Sequence, residues 1–281
     1  MNPTLQLHLA VLLFSGTALF SKLIPLPATE ITALRSVLAG LALFSLLFLT
    51  GKRARLQRGR DYLIVVGLGV LIGLHWATYF AGMQYSTVAI GMIAFFTYPV
   101  MTVLVEPILV GQRPALADMA SALIVLLGVA LLVPTPSLDS SITQGVLLGV
   151  LSAALFTARN LLQRRYFAHY SGAQTMAYQT SVAALMLLPW IEIPQGAMSH
   201  SDWGMLLLLG LGFTALPHAM LSQSLRTLSA KTVSLVSCMQ PLYATVLAAL
   251  LLAEWPDLKT LLGGGLILAA ALYETARAHR R

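Results

Sequence analysis

Charge is scarce in this sequence: only 10% of its 281 residues are Asp, Glu, Lys or Arg. Soluble domains run at about 25%, so a solvated globular surface is excluded. The single cysteine, Cys238, rules out an internal disulfide framework and a thiolate metal cluster. Set in an apolar run, it reads as a small packing residue. Neither H-E-x-x-H nor G-x-S-x-G occurs, and no two carboxylates pair inside an apolar run, so an enzyme, a metal site and a bound cofactor are not expected. No repeated ring-forming charge motif suggests a channel. The first 20 residues hold no Lys or Arg, so there is no basic n-region of a cleavable signal, and the first apolar run is read as a retained helix.

What fills the sequence instead is hydrocarbon. It is 58% hydrophobic, with a mean hydropathy of +0.81. A helix needs about 20 apolar residues to cross a bilayer. Ten runs qualify, roughly 4–23, 28–50, 61–82, 86–110, 115–134, 143–165, 172–191, 202–224, 230–253 and 258–277. They are too long and continuous for barrel strands, so the expected fold is an all-α integral membrane bundle of ten transmembrane helices. The net charge of +7 is spread over short linkers, which argues against a nucleic-acid surface. With the N-terminus in the cytoplasm, 13 of the 17 basic residues fall on the cytoplasmic side: Lys52, Arg53, Arg55, Arg58, Arg60, Arg113, Arg164, Arg165, Arg226, Lys231, Arg277, Arg280 and Arg281. Lys22 and Lys259 lie outside, and Arg35 and Arg159 inside spans. This asymmetry predicts a multi-pass inner-membrane protein with both termini cytoplasmic.

Two halves, 1–135 and 136–281, share landmarks. A GLG triplet is followed by histidine six residues after its second glycine, at Gly69 and His75 and again at Gly212 and His218. Pro99 and Pro114 are 15 apart, as are Pro241 and Pro256. SGTALFSK (15–22) parallels SAALFTAR (152–159), setting Lys22 opposite Arg159. Five spans per half insert the second copy upside down, the inverted-repeat arrangement of secondary transporters around a central cavity.

FSGTALFSK, TALRSVLAGLAL, HWATYFAGMQYSTVAIGMIAFFTYPV, EPILVGQRP and LLAEWPDLKTLLGGGLILAAALY together resemble the EamA family of the drug/metabolite transporter superfamily, over nearly the whole chain. The resemblance implies a ten-helix carrier of two five-helix repeats around a central cavity. Such carriers typically export amino acids or related metabolites, and some import nutrients. One departure is visible: the family often has an acid just before the basic or polar residue that leaves the fourth helix of a copy. Glu254 keeps it in the second copy, whereas Gln112 stands in the first.

Polar groups inside the spans are the candidate site, because an ionisable group in hydrocarbon faces a cavity or a partner. Lys22, at the end of the first span, reads either as an interface anchor or as part of the site. Glu30 suits the first turn of its helix. Arg35 lies about 10 Å into the same helix. Five positions separate it from Glu30, which is the wrong spacing for a pair, so it requires another partner or a substrate anion. Arg159 can snorkel toward Arg164 and Arg165, or gate. Glu106 can pair or close an inner gate. His75 and Tyr79 share a helix face, as do His218 and Ser222, and the histidines suit proton coupling. Pro99 and Pro241 are expected to kink their helices mid-span and serve as hinges. Trp76, Tyr98, Tyr178, Gln179, Gln240 and Tyr243 complete the expected substrate lining. Gly69–Gly73 and Gly145–Gly149 have the GxxxG spacing of close helix contacts.

The expected function is secondary-active transport of a small metabolite by alternating access, with an amino acid or related carboxylate exported. Two alternatives stand beside it: a proton-coupled multidrug exporter of cations, and an importer of a nutrient or vitamin. The expected partners are the substrate and the lipid bilayer, with the protein a monomer or homodimer.

Overall fold

The structure, a computed structural model, describes residues 3–52, 54–109, 111–133, 137–193, 198–224 and 236–278. Arg53, Arg226, Lys231, Arg280, Arg281 and the side chain of Ser222, all cited above, lie outside the described residues.

Among the described residues ten helices follow one another and no strand occurs. Helix α1 runs as Pro3–Thr17 and Phe20–Leu23, α2 as Ala28–Leu49, α3 as Gly59–Tyr85, and α4 as Val88–Phe95 and Tyr98–Leu109. Helix α5 is Leu116–Leu132, α6 Ser141–Phe167 and α7 Gly172–Leu187. Helix α8 comprises His200–Leu207, a π-helical stretch Leu208–Ala215, and Leu216–Ser224. Helices α9 and α10 are Gln240–Leu252 and Leu258–Ala278. Five spans are long and apolar enough to cross a membrane: Thr4–Leu23, Ala28–Leu49, Gly59–Tyr85, Val88–Leu109 and Ser141–Phe167. Helix α7 ends at Leu187, short of the expected 191, where a 3-10 turn containing Pro189 takes over.

Side chains set the helix starts. Thr87, Ser140 and Ser171 each accept a hydrogen bond from the backbone N–H three residues on, satisfying a donor the helix cannot pair. Ser199 and Asp202 form a reciprocal capping box. Asp257 Oδ1 accepts from Thr260 N at 2.8 Å at the head of α10, and the Thr260 hydroxyl and amide hold the Asp257 carboxyl below the usual carboxylate range.

The two prolines depart from expectation. The first span does break, but the chain stops after Phe95 and restarts at Tyr98 rather than kinking within one helix; in the second copy a helix begins at Gln240, and residues 225–235 before it lie outside the described residues. Pro99 and Pro241 occupy the second residue of the segments Tyr98–Leu109 and Gln240–Leu252. There the missing N–H is one the helix could not have paired, and the ring's fixed φ fits.

Small residues let the helices approach. Helix α3 packs on α6, where a Cβ on Gly145 would lie 2.6 Å from Ser86 Cβ and 2.7 Å from the Gly82 carbonyl oxygen. Gly149 is as tight against Ala94 of α4, at 2.6 Å. Gly69 and Gly73 face Val182 and Ala183 of α7. Helix α5 packs on α10 through Gly128 and Gly263, each at the other's carbonyl. The remaining major pairings set α1 against α8 and α9, α6 against α3 and α4, α2 against α7, and α4 against α9.

Candidate functional site

The pairing of α1 with α8 and of α3 with α6 encloses a cavity of about 380 Å³ between the two halves of the chain. That volume suits a small metabolite. Arg35, His75, Trp76, Tyr79, Tyr98, His218 and Gln240, all expected from the sequence, line it together. Arg159 and Asn160 line it too, and no Asp or Glu appears among the described lining residues.

Arg35 is 2% exposed. Its guanidinium carbon lies 4.4 Å from the Trp76 ring centroid and 5.1 Å from that of Phe80. Nε and Nη1 are buried without a hydrogen-bond partner among the described residues. Glu30, one turn and a half away in α2, is also buried, with Oε2 unpartnered. The two do not neutralise each other, as their spacing predicts. The cation of Arg35 is therefore held by aromatic faces with two donor atoms unused.

Arg159 does not snorkel toward its basic neighbours. It is 8% exposed and spends its donors on neutral groups: Nε on Gln179 Oε1 at 2.8 Å and Nη1 on Asn160 Oδ1 at 2.9 Å. No carboxylate pairs with it among the described residues. The reason lies in α7, where Gln179, 0% exposed and itself donating to Gln163, fixes the guanidinium from behind. Gln179 thus positions Arg159 instead of lining the cavity.

The histidines show one nitrogen each. His218 Nδ1 lies 2.6 Å from the Thr214 carbonyl oxygen, which can only accept, so this nitrogen carries the proton and Nε2 a lone pair. His75 Nδ1 lies 3.1 Å from the Ser152 carbonyl and 2.7 Å from its hydroxyl, which itself donates to the His75 carbonyl. The same assignment follows. The geometry around His218 depends on Pro217: lacking an N–H, it leaves the Phe213 carbonyl to accept from the Thr17 hydroxyl at 2.8 Å.

Other expected residues sit elsewhere. Tyr178 packs edge-on against Phe44 and Tyr62, with ring centroids 5.3 and 5.8 Å away, outside the cavity. Tyr243 meets His8 Nδ1 at 3.2 Å and packs beside Leu7 and Val11. Tyr243 thus presents its hydroxyl to His8, and neither tyrosine lines the cavity. Lys22 donates to the Gln84 and Ser86 carbonyls and lies 3.9 Å from Glu254 Oε1; Glu254 Oε2 also accepts from Val88 N, at 2.8 Å, heading α4. At the opposite end of the bundle, Glu106 pairs with Arg164 at 2.6 Å. Lys22 and Arg159, equated by the repeat, therefore have different surroundings. Residues the sequence reading missed include Phe14, Thr17, Phe95, Phe156, Leu221 and Ser237. Aromatic and small residues in an apolar run give no signal of facing a cavity.

The EamA-like transporter family model matches the chain twice, at residues 4–133 and 143–273. An uncharacterised transporter of Bacillus subtilis is 26% identical over 95% of this chain and 88% of its own length. A pseudopaline exporter of Pseudomonas aeruginosa is 27% identical over 88% of this chain and 86% of its own. A crystal structure 21% identical in sequence superposes with a TM-score of 0.67, covering 100% of this chain and 99% of that one. At that identity the likeness shows the fold.

Proposed function

Because this chain belongs to the EamA-like transporter family, a family of multi-pass membrane transporters, we propose that it is a secondary-active exporter of an amino acid or related carboxylate. The observation that carries this reading is Arg35: a buried guanidinium with Nε and Nη1 unused, in a cavity whose described lining contains no acid. A carboxylate supplies a charged acceptor for a guanidinium that lacks one. The aromatic walls, Trp76, Tyr79, Phe95, Tyr98 and Phe156, suit an apolar part of the same molecule.

The mechanism we propose is alternating access between two inverted repeats, 1–135 and 136–281. Three features support it. The family model matches each half separately. Exchanging α1–α5 for α6–α10 maps the α1–α8 packing onto α6–α3, and α1–α9 onto α6–α4. The second segment of α4 and helix α9 each begin with proline as their second residue, and their first residues, Tyr98 and Gln240, line the cavity. Discontinuous helices of this kind present a positive dipole end to an anion. The cluster of Lys22, Ser86 and Glu254 would close the outer side and Glu106–Arg164 the inner, with both termini cytoplasmic in the inner membrane. His75 and His218, whose Nδ1 atoms are engaged by the Ser152 and Thr214 carbonyls, are the groups we propose for proton coupling. Export as the direction is supported by the pseudopaline exporter among the relatives.

A cation exporter needs an acid where its substrate binds, and the described lining offers two guanidiniums instead. The test is transport in proteoliposomes of purified protein, with a panel of amino acids, organic anions and cationic dyes. Saturable movement of a carboxylate compound, lost in Arg35→Ala, is the expected result. Movement of cationic dyes alone would overturn the reading.

A further inference from the structure

A second and larger concavity, about 650 Å³, lies away from the transport cavity, between the α2–α3 linker and the turn joining α6 to α7. Arg55, Arg58, Tyr62 and His169 are among its walls. Arg55 and Arg58 are exposed. A buried cluster of Leu56, Val65, Leu68, Phe167 and Tyr170 floors it, and no residue lining the central cavity lines it.

The linker that bears the two arginines is built, not loose. Gln174, 8% exposed, donates to the Ala54 and Arg55 carbonyls at 3.0 and 3.2 Å. The Tyr170 hydroxyl accepts from Gln57 N at 2.7 Å and donates to Asp61 Oδ2 at 2.5 Å. Tyr62 accepts from Leu56 N at 3.2 Å. Four backbone groups in a linker between two helices are thus fixed by side chains of α3, α7 and the turn before it. Asp61, near the start of α3, is 5% exposed and engaged by Tyr170, and among the described residues no ion pair joins Arg55 or Arg58 to a carboxylate.

The apolar surface beside this groove decides what occupies it. Tyr62 and Val66 of α3, four residues apart on one face, are 37% and 47% exposed, with Leu63 beside them at 77%. Phe48 and Leu49, closing α2 just before the linker, are 85% and 80% exposed. A basic, structured recess opening onto lipid-facing hydrocarbon matches a molecule with an anionic head and apolar tails. We propose that this groove binds the headgroup of an anionic phospholipid, its phosphate on Arg55 and Arg58 and its acyl chains along the Tyr62–Val66 face of α3. Two arginine forks fit phosphate oxygens, and basic pockets between helices near the headgroup level recognise such heads.

Purified, delipidated protein in neutral detergent tests this. Its melting temperature is followed on adding phosphatidylglycerol, phosphatidylcholine or inorganic phosphate. Phosphatidylglycerol should raise it in a saturable way, by mass action on the folded state, with the other two giving no comparable shift. In Arg55→Gln/Arg58→Gln, about tenfold more phosphatidylglycerol should be needed, whereas Arg113→Gln, an exposed arginine outside the groove, should respond like the parent. Equal protection by inorganic phosphate would overturn the lipid assignment, and an undiminished response in the double variant would overturn the site. Should the double variant fail to fold, a photoactivatable phosphatidylglycerol on the parent protein decides. Crosslinks concentrated on peptides carrying Tyr62 or His169 sustain the proposal, and crosslinks absent from both reject it.

Discussion

The Arg35 guanidinium carbon rests 4.4 Å from the centroid of the Trp76 ring, on the neighbouring helix. This contact holds a buried cation without neutralising it, and on the proposed reading its charge is what a carboxylate substrate meets. Stacking and a planar fork are properties of arginine that lysine lacks. Arg35→Lys should therefore lose carboxylate binding nearly as fully as Arg35→Ala, by tenfold or more, about 1.4 kcal/mol. Thermal-shift titration with whichever carboxylate the parent transports checks it; near-parental affinity in Arg35→Lys would mean that charge alone suffices.

Arg277 reaches Asp118 Oδ1 at 2.5 Å and Glu274 Oε2 at 3.5 Å, tying α5 to α10. Asp118 is 0% and Glu274 2% exposed, and Glu274 also accepts from the Ser121 hydroxyl. Removing the cation leaves two buried carboxylates together. Arg277→Met should destabilise by about 3–5 kcal/mol, and adding Asp118→Asn and Glu274→Gln should recover much of that. Denaturation midpoints of the single and triple variants measure it.

Gly145 and Gly149 of α6 face α3 and α4 with no room for a Cβ. Gly145→Val should lower the melting temperature far more than Gly59→Ala, since a Cβ at Gly59 would meet nothing within 4 Å. Overpacking of this kind costs about 1–3 kcal/mol. Similar losses at both positions would show that α3 and α6 tolerate separation.

Asp257 heads α10 as a carboxylate. Its folded pKa is depressed by Thr260, so its contribution is complete above the unfolded value of about 3.9 and fades as pH falls through the folded one. The melting-temperature gap between parent and Asp257→Ala should accordingly be widest near neutral pH and shrink below pH ~4. A gap independent of pH would argue that packing, not the charged cap, is what the substitution removes.

Much of the bundle was legible because hydrocarbon demands long apolar runs, and Arg35, His75 and His218 stood out as polar groups within them. The same contrast misled at Tyr178 and Tyr243, whose hydroxyl-bearing rings are used in packing against Tyr62 and beside His8. Phe95 and Phe156 were invisible for the opposite reason: a cavity-facing phenylalanine and a lipid-facing one are the same letter. Pro99 and Pro241 marked the right places but not the right geometry, since a proline in an apolar run does not reveal whether the helix bends or restarts. The π-helical stretch before His218 had no pattern to announce it, because it depends on how α8 packs against α1 and α2.

His75 and His218 both have Nδ1 anchored to a carbonyl that can only accept. Each imidazole is therefore held in one orientation at the wall of the cavity by a backbone oxygen. On the reading proposed above, in which these histidines take up the coupling proton, that proton would enter at Nε2 and change the character of the wall without any ring having to turn.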